Sequence, residues 1–494
     1  MRSFPQYNSN RTDNLVVLEN MSFKKTFLKN VLISGGYNYI SQILTFTSSF
    51  ITARLLLPDN YGIVGLITVF TGFISVFADG GISLAVIKSD YGRSYQKALD
   101  NLSLIIGVLL FCITTLLAYP IAWFYSNNDI VLPTIVLAIT FIFRSMTIVR
   151  MAMLSKKLDF AYIGKVTLVT TTISIILTIL LAYNHAEHWS LVIPQVVTSI
   201  LLVILYESKI KLGFKLYSSK YMIIAFRYTK QTIGSLIGFN LINYWARNSD
   251  NLIVGKVYGT GDLGIYNRAY SLLTLPLSLV SGLMSTVLYP SLKKLKFENG
   301  DVNKEYLFVL RIISIIVFPI TAVLVIFPHQ IVSILWGEKW LKVSELLPYF
   351  GLLIYSQSIL STSGNILVLF GKERALFFSG LISSIFIISG IILGSIFSIV
   401  SIAQYYALFF IILVLPFNLF FIFYKSLQFS LKTTCAFFIP LIVLSLAVWF
   451  SCYYDFFYGK IITLVLMLVN ILYGSKGELY TILKRYFAKE PVAI

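Results

Sequence analysis

The residues "LSLIIGVLLFCITTLLAYPIAWFY", 102 to 125, run for twenty-four positions without a charge, and after four polar residues another apolar run begins. A helix rises 1.5 Å per residue, so about 20 such residues cross the roughly 30 Å hydrocarbon core of a bilayer. Runs of this kind recur from near residue 31 almost to the end of the chain, and the loops between them are too short for a soluble domain. In lipid every backbone N–H and C=O must find its partner within the protein, which helices achieve segment by segment. Composition agrees: 57% of the 494 residues are hydrophobic, only 12% are charged, and the mean hydropathy is +0.83. The chain is read as an all-α integral membrane protein with no room for a catalytic domain outside the bilayer.

About fourteen spans are expected, near residues 31–56, 62–87, 99–124, 130–154, 160–183, 189–206, 231–257, 263–289, 306–335, 343–369, 375–396, 400–424, 433–453 and 459–475. Alternate loops are basic: "KSDYGRSYQKA", "SKKLD", "KIKLGFKLYSSKY", "KKLKFENGDVNK", "GKER" and "KSLQFSLK", with the N-terminal flank and "LKRYFAKE" on the same side. The opposite loops, such as "LPDNY", "YSNND", "NHAEH" and "GTGD", carry acids and no Lys or Arg. By the positive-inside rule the basic side is cytoplasmic, and both termini lie there. The formal charge of +18 reports this topology first and does not call for nucleic acid as a partner. Cys112, Cys435 and Cys452 are scattered in or beside apolar runs, so neither a disulfide framework nor a thiolate metal site is indicated. The segment "MRSFPQYNSNRTDNLVVLEN" lacks a signal-peptide core, and Met21, followed by the basic flank "SFKKTFLKN", is the expected start.

Shifted by 202 residues, "ITARLLLPDNYGIVGL" falls over "IVGKVYGTGDLGIYNR": Arg54 on Lys256, Asn60 on Asp262, Gly62 on Gly264, and further on Gly80 on Gly282. Two copies of six spans follow, an N-lobe over 31–206 and a C-lobe over 231–424, joined by a basic cytoplasmic connector at 207–230. Residues 425–475 add two further helices, and 1–30 and 476–494 are cytoplasmic tails. Parallel repeats of this sort are related by an axis along the membrane normal, and transporters built from them bind substrate near the midplane between the repeats.

A charged side chain at the centre of a membrane helix costs about 2.5 to 3.5 kcal/mol on insertion scales, so it should face the protein interior or a watery cavity. The stretch "NYWARNSDNLIVGK", 243 to 256, meets that demand: at 100° per residue Asn240, Asn243, Tyr244, Arg247, Asp250 and Asn251 fall within about a third of the circumference. Arg247 and Asp250 are i,i+3 neighbours. They either form a structural ion pair or leave guanidinium donors for an anion on a substrate path. Arg54, Lys256, Arg150 and Arg311, near span ends, are expected to snorkel to headgroups. Arg144 is too far from its basic turn for that and is a second candidate for the cavity; Asp79 in span two and Arg268 in span eight are further charges within spans. Pro276, Pro290, Pro319, Pro328, Gly234, Gly238 and Gly282 permit bends and close helix approach, or reflect the higher frequency of both residues in membrane helices.

The segments "ITARLLLPDNYGIVGLITVF", "ADGGISLAVIKSD", "MLSKKLDF", "NYWARNSDNLIVGKVYGTGDLGIYNRAYSLLTLP", "YPSLKKL", "FPHQIVSILWGEKW" and "SGNILVLFGKERAL" resemble the polysaccharide transporter family. These are the Wzx-type flippases of the MOP superfamily, and the likeness is strongest to the colanic-acid and teichuronic-acid exporter branch; it covers residues 31 to about 425. It implies a MATE-like fold of two six-helix lobes around a central cavity. It also implies transfer of undecaprenyl-diphosphate-linked oligosaccharide across the inner membrane for O-antigen, capsule or exopolysaccharide, with a polysaccharide polymerase or chain-length regulator as a candidate partner. The cationic wall that meets the diphosphate maps onto Arg247, Asp250 and Asn251, with Asp79, Arg268 and Arg144 as weaker candidates.

Alternating access is the mechanism expected. No phosphate-binding Gly-rich loop is present, so direct ATP use is not expected, no cofactor is called for, and coupling to H+ or Na+ at Asp79 or Asp250 is left open. The rival readings are a multidrug or peptidoglycan-precursor exporter of the same superfamily, or a membrane glycosyltransferase or polymerase. The last would need acids or bases in a substantial outer loop, and the outer loops are too short. "HAEH" at 185–188 reads as a polar turn before it reads as a metal site.

Overall fold

Lipid leaves helices as the only unpaired solution, and the chain follows it throughout its described parts. The computed structural model describes residues 23–79, 81–89, 92–213, 219–298 and 300–476. Met21, Gly80, connector residues 214–218 and the tail with "LKRYFAKE" lie outside them, as do the side chains of Gln231 to Asn240 and of Asn243. Two compact units divide the chain, Met1–Gly264 and Ile265–Ile494.

The first unit holds α1 (Phe23–Leu55), α2 (Pro58–Asp79), α3 (Ile82–Lys88), α4 (Arg93–Tyr125), α5 (Val131–Lys156), α6 (Phe160–Tyr183) and α7 (Trp189–Ile210). It also takes the first arm of α8 (Ser219–Phe297), whose one non-helical residue, Gly259, marks the expected turn between spans seven and eight. The second unit continues with α9 (Val302–Ile326), α10 (Pro328–Leu335), α11 (Val343–Ser361), α12 (Ser363–Leu369), α13 (Glu373–Gly394), α14 (Ile399–Phe409), α15 (Leu415–Asn418), α16 (Leu431–Tyr453) and α17 (Phe457–Gly474). π-helical turns bridge α14 to α15 and carry the segment on to Ser426. Eleven helical segments among the described residues are long and apolar enough to cross a membrane; α1 and the arms of α8 are helical but outside that set.

The helix ends follow local chemistry. Asp159 accepts from the Tyr162 N–H at 3.2 Å, Asp301 from Lys304 at 3.0 Å, Ser398 from Ser401 at 3.0 Å and Ser430 from Thr433 at 3.1 Å, each satisfying an amide that a helix start leaves open. The run expected to span 306–335 breaks instead at Phe327, because Pro328 lacks an N–H and opens α10 at its first turn. Span two breaks likewise before α3, where Gly81 takes a φ of 91° that a side chain would oppose.

In the first unit Val86, Tyr95, Leu99, Val149, Leu154, Val166 and Tyr206 form one core, to which α3 to α7 each contribute. In the second unit α11 is the most buried span and also the least apolar. Because its neighbours are protein on all sides, its polar groups find partners: Gly351 O accepts from Thr321 Oγ1 at 2.9 Å, Tyr349 Oη from Gln404 Nε2 at 3.0 Å, and Gln357 Nε2 donates to Tyr406 Oη at 3.0 Å. Helix faces turned outward carry large apolar side chains such as Leu116 and Trp123 on α4 and Ile462 and Val469 on α17, as a lipid-facing surface requires.

A second close contact lies within the first unit. A Cβ added to Gly62 would stand 1.8 Å from Thr260 O, and one added to Gly264 would stand 2.0 Å from Pro58 O. Pro58 and Thr260 are separated by the same 202 positions as the two glycines, so the contact is reciprocal, as a local twofold relation produces. Thr260 Oγ1 closes it by donating to Asp59 Oδ1 at 2.7 Å. Gly62→Val should therefore melt well below wild type in detergent, since overpacking costs about 1–3 kcal/mol and here meets main chain that cannot rotate away. Gly380→Ala, which meets nothing within 4 Å, should melt with wild type, and equal melting of both variants would remove the contact from this account.

Candidate functional site

The polar stretch of α8 is held on one side by α2. Tyr244 Oη donates to Val69 O at 2.5 Å and approaches Thr68 O at 3.2 Å. Gly72 gives it room, since a Cβ there would lie 2.5 Å from the hydroxyl. Phe73 packs against both Tyr244 and Trp245, with ring centroids 5.9 and 5.1 Å away. Farther along, Lys256 hydrogen-bonds Phe124 O at the C-terminal end of α4 and lies 5.0 Å over the Phe124 ring. A cation there complements the open carbonyls of that helix end, so Lys256 turns to the protein where snorkelling to headgroups was expected.

Between these anchors the candidate residues differ in exposure. Arg247 is exposed, Asp250 is buried, and Asn251 is half-buried. Asp250 Oδ1 accepts from the Asn251 N–H at 2.8 Å, while Asn251 Oδ1 is shielded and finds no hydrogen-bond partner among the described residues. No ion pair joins Arg247 to Asp250 among the described residues. Asn248 Nδ2 donates back to Tyr244 O at 2.8 Å. The stretch thus offers an exposed guanidinium near an amide oxygen with spare capacity.

The other candidates are dispersed. Asp79, exposed at the end of α2, accepts from Ser83 N at 3.0 Å and Ser83 Oγ at 2.7 Å, so it fastens the start of α3 past Gly81. Arg144 sits exposed midway along α5. Arg268, in the second unit, is buried with its guanidinium 5.6 Å from the Trp336 ring centroid and 5.3 Å from that of Trp340. At "HAEH", His185 and Glu187 take left-handed backbone in a tight turn, and burial lowers the pKa of the His188 imidazole.

Arg150 overturns the expectation that it snorkels. It is fully buried: Nη1 donates to Asp100 Oδ1 at 2.7 Å and Nε to Glu207 Oε2 at 2.7 Å, and Nη1 also reaches Met146 O. Packing of α5 against both α4 and α7 closes the route to the headgroups and presents carboxylates instead. Glu207 Oε1 further accepts from Gly213 N at 2.8 Å, and Arg93 Nη2 donates to Ile210 O and Lys211 O at 3.1 and 2.8 Å, capping α7. Asp100 and Glu207 were not singled out from the sequence. Their signal was an acid at the edge of each apolar run, at "ALDNL" and "LYESK".

The fold is that of a polytopic helical membrane protein. It is similar to a lipid II flippase MurJ in an inward closed conformation, with a TM-score of 0.67 at 15% identity over 91% of this chain and 100% of that one. An inward-facing multidrug resistance MATE family transporter of the MOP superfamily gives 0.59 at 11% identity, over 81% and 98%. The family model described as "Polysaccharide biosynthesis protein" matches residues 51–345, and the chain belongs to that family. Its relatives include the teichuronic acid biosynthesis protein TuaB of Bacillus subtilis (strain 168), 25% identical over 62% of this chain and 64% of that protein. The chain thus spans just under two thirds of TuaB. The lipopolysaccharide biosynthesis protein WzxC of Escherichia coli (strain K12) is 22% identical over 70% of each, and the succinoglycan biosynthesis transport protein ExoT of Rhizobium meliloti (strain 1021) 20% over 75% of each.

The buried cluster generates a stability prediction. Arg150→Met leaves two carboxylates without their guanidinium, and breaking such a pair costs about 3–5 kcal/mol, so the variant should melt far below wild type in detergent. Adding Asp100→Leu and Glu207→Gln should recover most of the loss, because apolar or neutral replacements remove the stranded charge. A single variant that melts like wild type would show that the cluster does not hold α4, α5 and α7 together.

Proposed function

We propose that the chain moves undecaprenyl-diphosphate-linked oligosaccharide repeat units from the cytoplasmic to the outer leaflet of the cytoplasmic (inner) membrane, by alternating access, for surface polysaccharide synthesis. The observation that carries this reading is the polysaccharide biosynthesis family match over residues 51–345, in a chain whose relative ExoT is a transport protein by name. The physical need is plain. A diphosphate and its sugars carry many polar groups, each costing several kcal/mol if left unsatisfied in hydrocarbon. Transport needs no catalytic residue, so the protein is not an enzyme in this reading.

Arg247 supplies a planar set of donors to diphosphate oxygens, Asn251 Oδ1 accepts from a sugar hydroxyl, and Asp250 sets the local charge. Arg144 is the second cation of the path. Asp79 and Arg268 belong to it more weakly, because the Ser83 contacts of the first and the indoles around the second already give each a structural use. The lobes are assigned to 31–206 and 231–424, the connector to 207–230, the added helices to 425–475, and both termini to the cytoplasm on the basic-loop pattern. Coupling to H+ or Na+ would fall on Asp79 or Asp250, and a polymerase that consumes the product would equally give direction. The MurJ-like fold favours one second reading, export of a peptidoglycan precursor, which presents the same prenyl diphosphate.

Arg247→Ala, at normal abundance in the membrane, should lower surface polymer about tenfold or more, the equivalent of a lost charge-assisted hydrogen bond, while Arg247→Lys keeps part of it. Full polymer from Arg247→Ala would remove Arg247 from the path. Lipid analysis after deletion of the gene should find the prenyl-linked repeat accumulating on the cytoplasmic side. Absence of that lipid-linked repeat would point to synthesis in place of transport.

A further inference from the structure

α1 is helical but stands outside the set of apolar spans, and the reason lies on one of its faces. At 100° per residue Asn38, Gln42, Thr45 and Ser49 fall within about 60° of one another. The first three are exposed and Ser49 is half-buried. Ile40, Ile43, Leu44 and Ile51, which are exposed as well, lie on the opposite side of the helix. Between the two faces Tyr37 packs on α6, where a Cβ on Gly164 would stand 2.8 Å from its ring. Farther along, the polar face is covered by α2, whose Tyr61 Oη donates to the buried Thr52 Oγ1 at 2.9 Å.

A membrane helix with two exposed faces of opposite character needs two surroundings. The isoleucine face suits hydrocarbon, but amides and hydroxyls turned to hydrocarbon would lose their hydrogen bonds to water, so the second face meets a watery space. The internal repeat identifies that space. The 202-residue shift sets Asn38, Ser41, Gln42, Thr45 and Ser49 on Asn240, Asn243, Tyr244, Arg247 and Asn251, position by position the polar stripe of α8. α1 leads into Pro58 and Gly62 as that stripe leads into Thr260 and Gly264, and those four residues meet in the reciprocal contact of the first unit. A twofold relation that exchanges them gives both stripes the same aspect toward its axis.

The chemistry of the two stripes differs. Thr45 stands at the position of Arg247 and Ser48 at that of Asp250, so the α1 face holds amides and hydroxyls and no charge. Thr45 Oγ1 donates to Ser41 O at 2.8 Å and keeps its lone pairs, while Asn38 and Gln42 each present donors and an acceptor. Ser41, 6% exposed at the edge of the stripe, has an Oγ without a hydrogen-bond partner among the described residues. Such a set offers an anion no cation. It matches a neutral polyhydroxyl group, in which every hydroxyl both donates and accepts.

We propose that the polar face of α1 binds the saccharide part of the lipid-linked substrate, while the Arg247 stretch takes its diphosphate. This assignment rests on the transport reading and divides the substrate between two repeat-related stripes.

The test measures dissociation constants of the full chain, purified in neutral detergent, for undecaprenyl diphosphate and for the undecaprenyl-diphosphate-linked repeat extracted from host membranes. Wild type should hold the glycosylated lipid more tightly. Gln42→Leu should weaken binding of the glycosylated lipid about fivefold, the equivalent of one neutral hydrogen bond, and leave undecaprenyl diphosphate unchanged. Thr45→Val, which keeps the shape of the side chain, should act in the same direction, and Gln42→Asn, which keeps an amide, should recover part of the loss. Ile43→Ala, on the opposite face, should bind both lipids as wild type does. Equal affinity of wild type for the two lipids, an unchanged hold on the glycosylated lipid in both Gln42→Leu and Thr45→Val, or an equal loss for both lipids in those variants would overturn the α1 assignment and leave the transport reading standing. Binding of neither lipid by wild type would overturn the transport reading with it.

Discussion

Every peptide group in a bilayer must be satisfied by the protein itself, and the rest of this structure depends on that requirement. It explains why the helices form and also why their ends are so carefully closed. The amides opened at the starts of α6, α9, α14 and α16 are met by Asp159, Asp301, Ser398 and Ser430. The carbonyls opened at the ends of α4 and α7 are met by Lys256 and Arg93, which come from other helices. Closing an end with a distant side chain does two things at once: it satisfies the backbone and ties two segments together. Part of the tertiary structure of the first unit is thus a consequence of helix termination.

The same scarcity of water sorts the arginines. Arg150 is buried completely and has two carboxylates within 2.7 Å; Arg268 is buried against two indoles; Arg247 is exposed on α8. Taking an ion out of water costs several kcal/mol even after relaxation, so the first two arrangements exist only because partners of high quality are in place. Arg247 has no such enclosure. Exposed while neighbouring Asp250 is covered, it is the guanidinium that the proposed transport reading gives to the substrate.

Much of this was legible from the residues. Apolar run length located nearly all the helices, because in lipid the cost of an unsatisfied amide leaves little for tertiary context to override. The 202-residue shift aligned Gly62 with Gly264, and the structure brings those two into one reciprocal contact. The Arg150 cluster was not legible, since Asp100 and Glu207 lie 50 and 57 positions away from it and periodicity within a single helix cannot reveal a partner on another. The break at Pro328 was visible as a residue but not as a break, because proline also occurs inside α4, α7, α9, α11 and α16 here; only its position relative to a helix start decides. The polar stripe on α8 was legible as a stripe, yet not which of its members would be covered, because that depends on where α2 lies against it.

Tyr244 is fixed by one hydrogen bond to main chain and by ring contacts, and its approach requires Gly72. Main-chain carbonyls on an α-helix recur every 1.5 Å along the axis, and the hydroxyl already lies within 3.2 Å of a second one, at Thr68. Because the ring fits only where Gly72 leaves room for it, the anchor sets the register of α8 on α2. The C-terminal end of the stretch is held in the same way, since a Cβ on Gly255 would stand 2.4 Å from Leu66 and Lys256 is tied to α4. Both ends of the stretch are therefore anchored, at Tyr244 against α2 and at Lys256 against α4, and Arg247 lies between the two anchors.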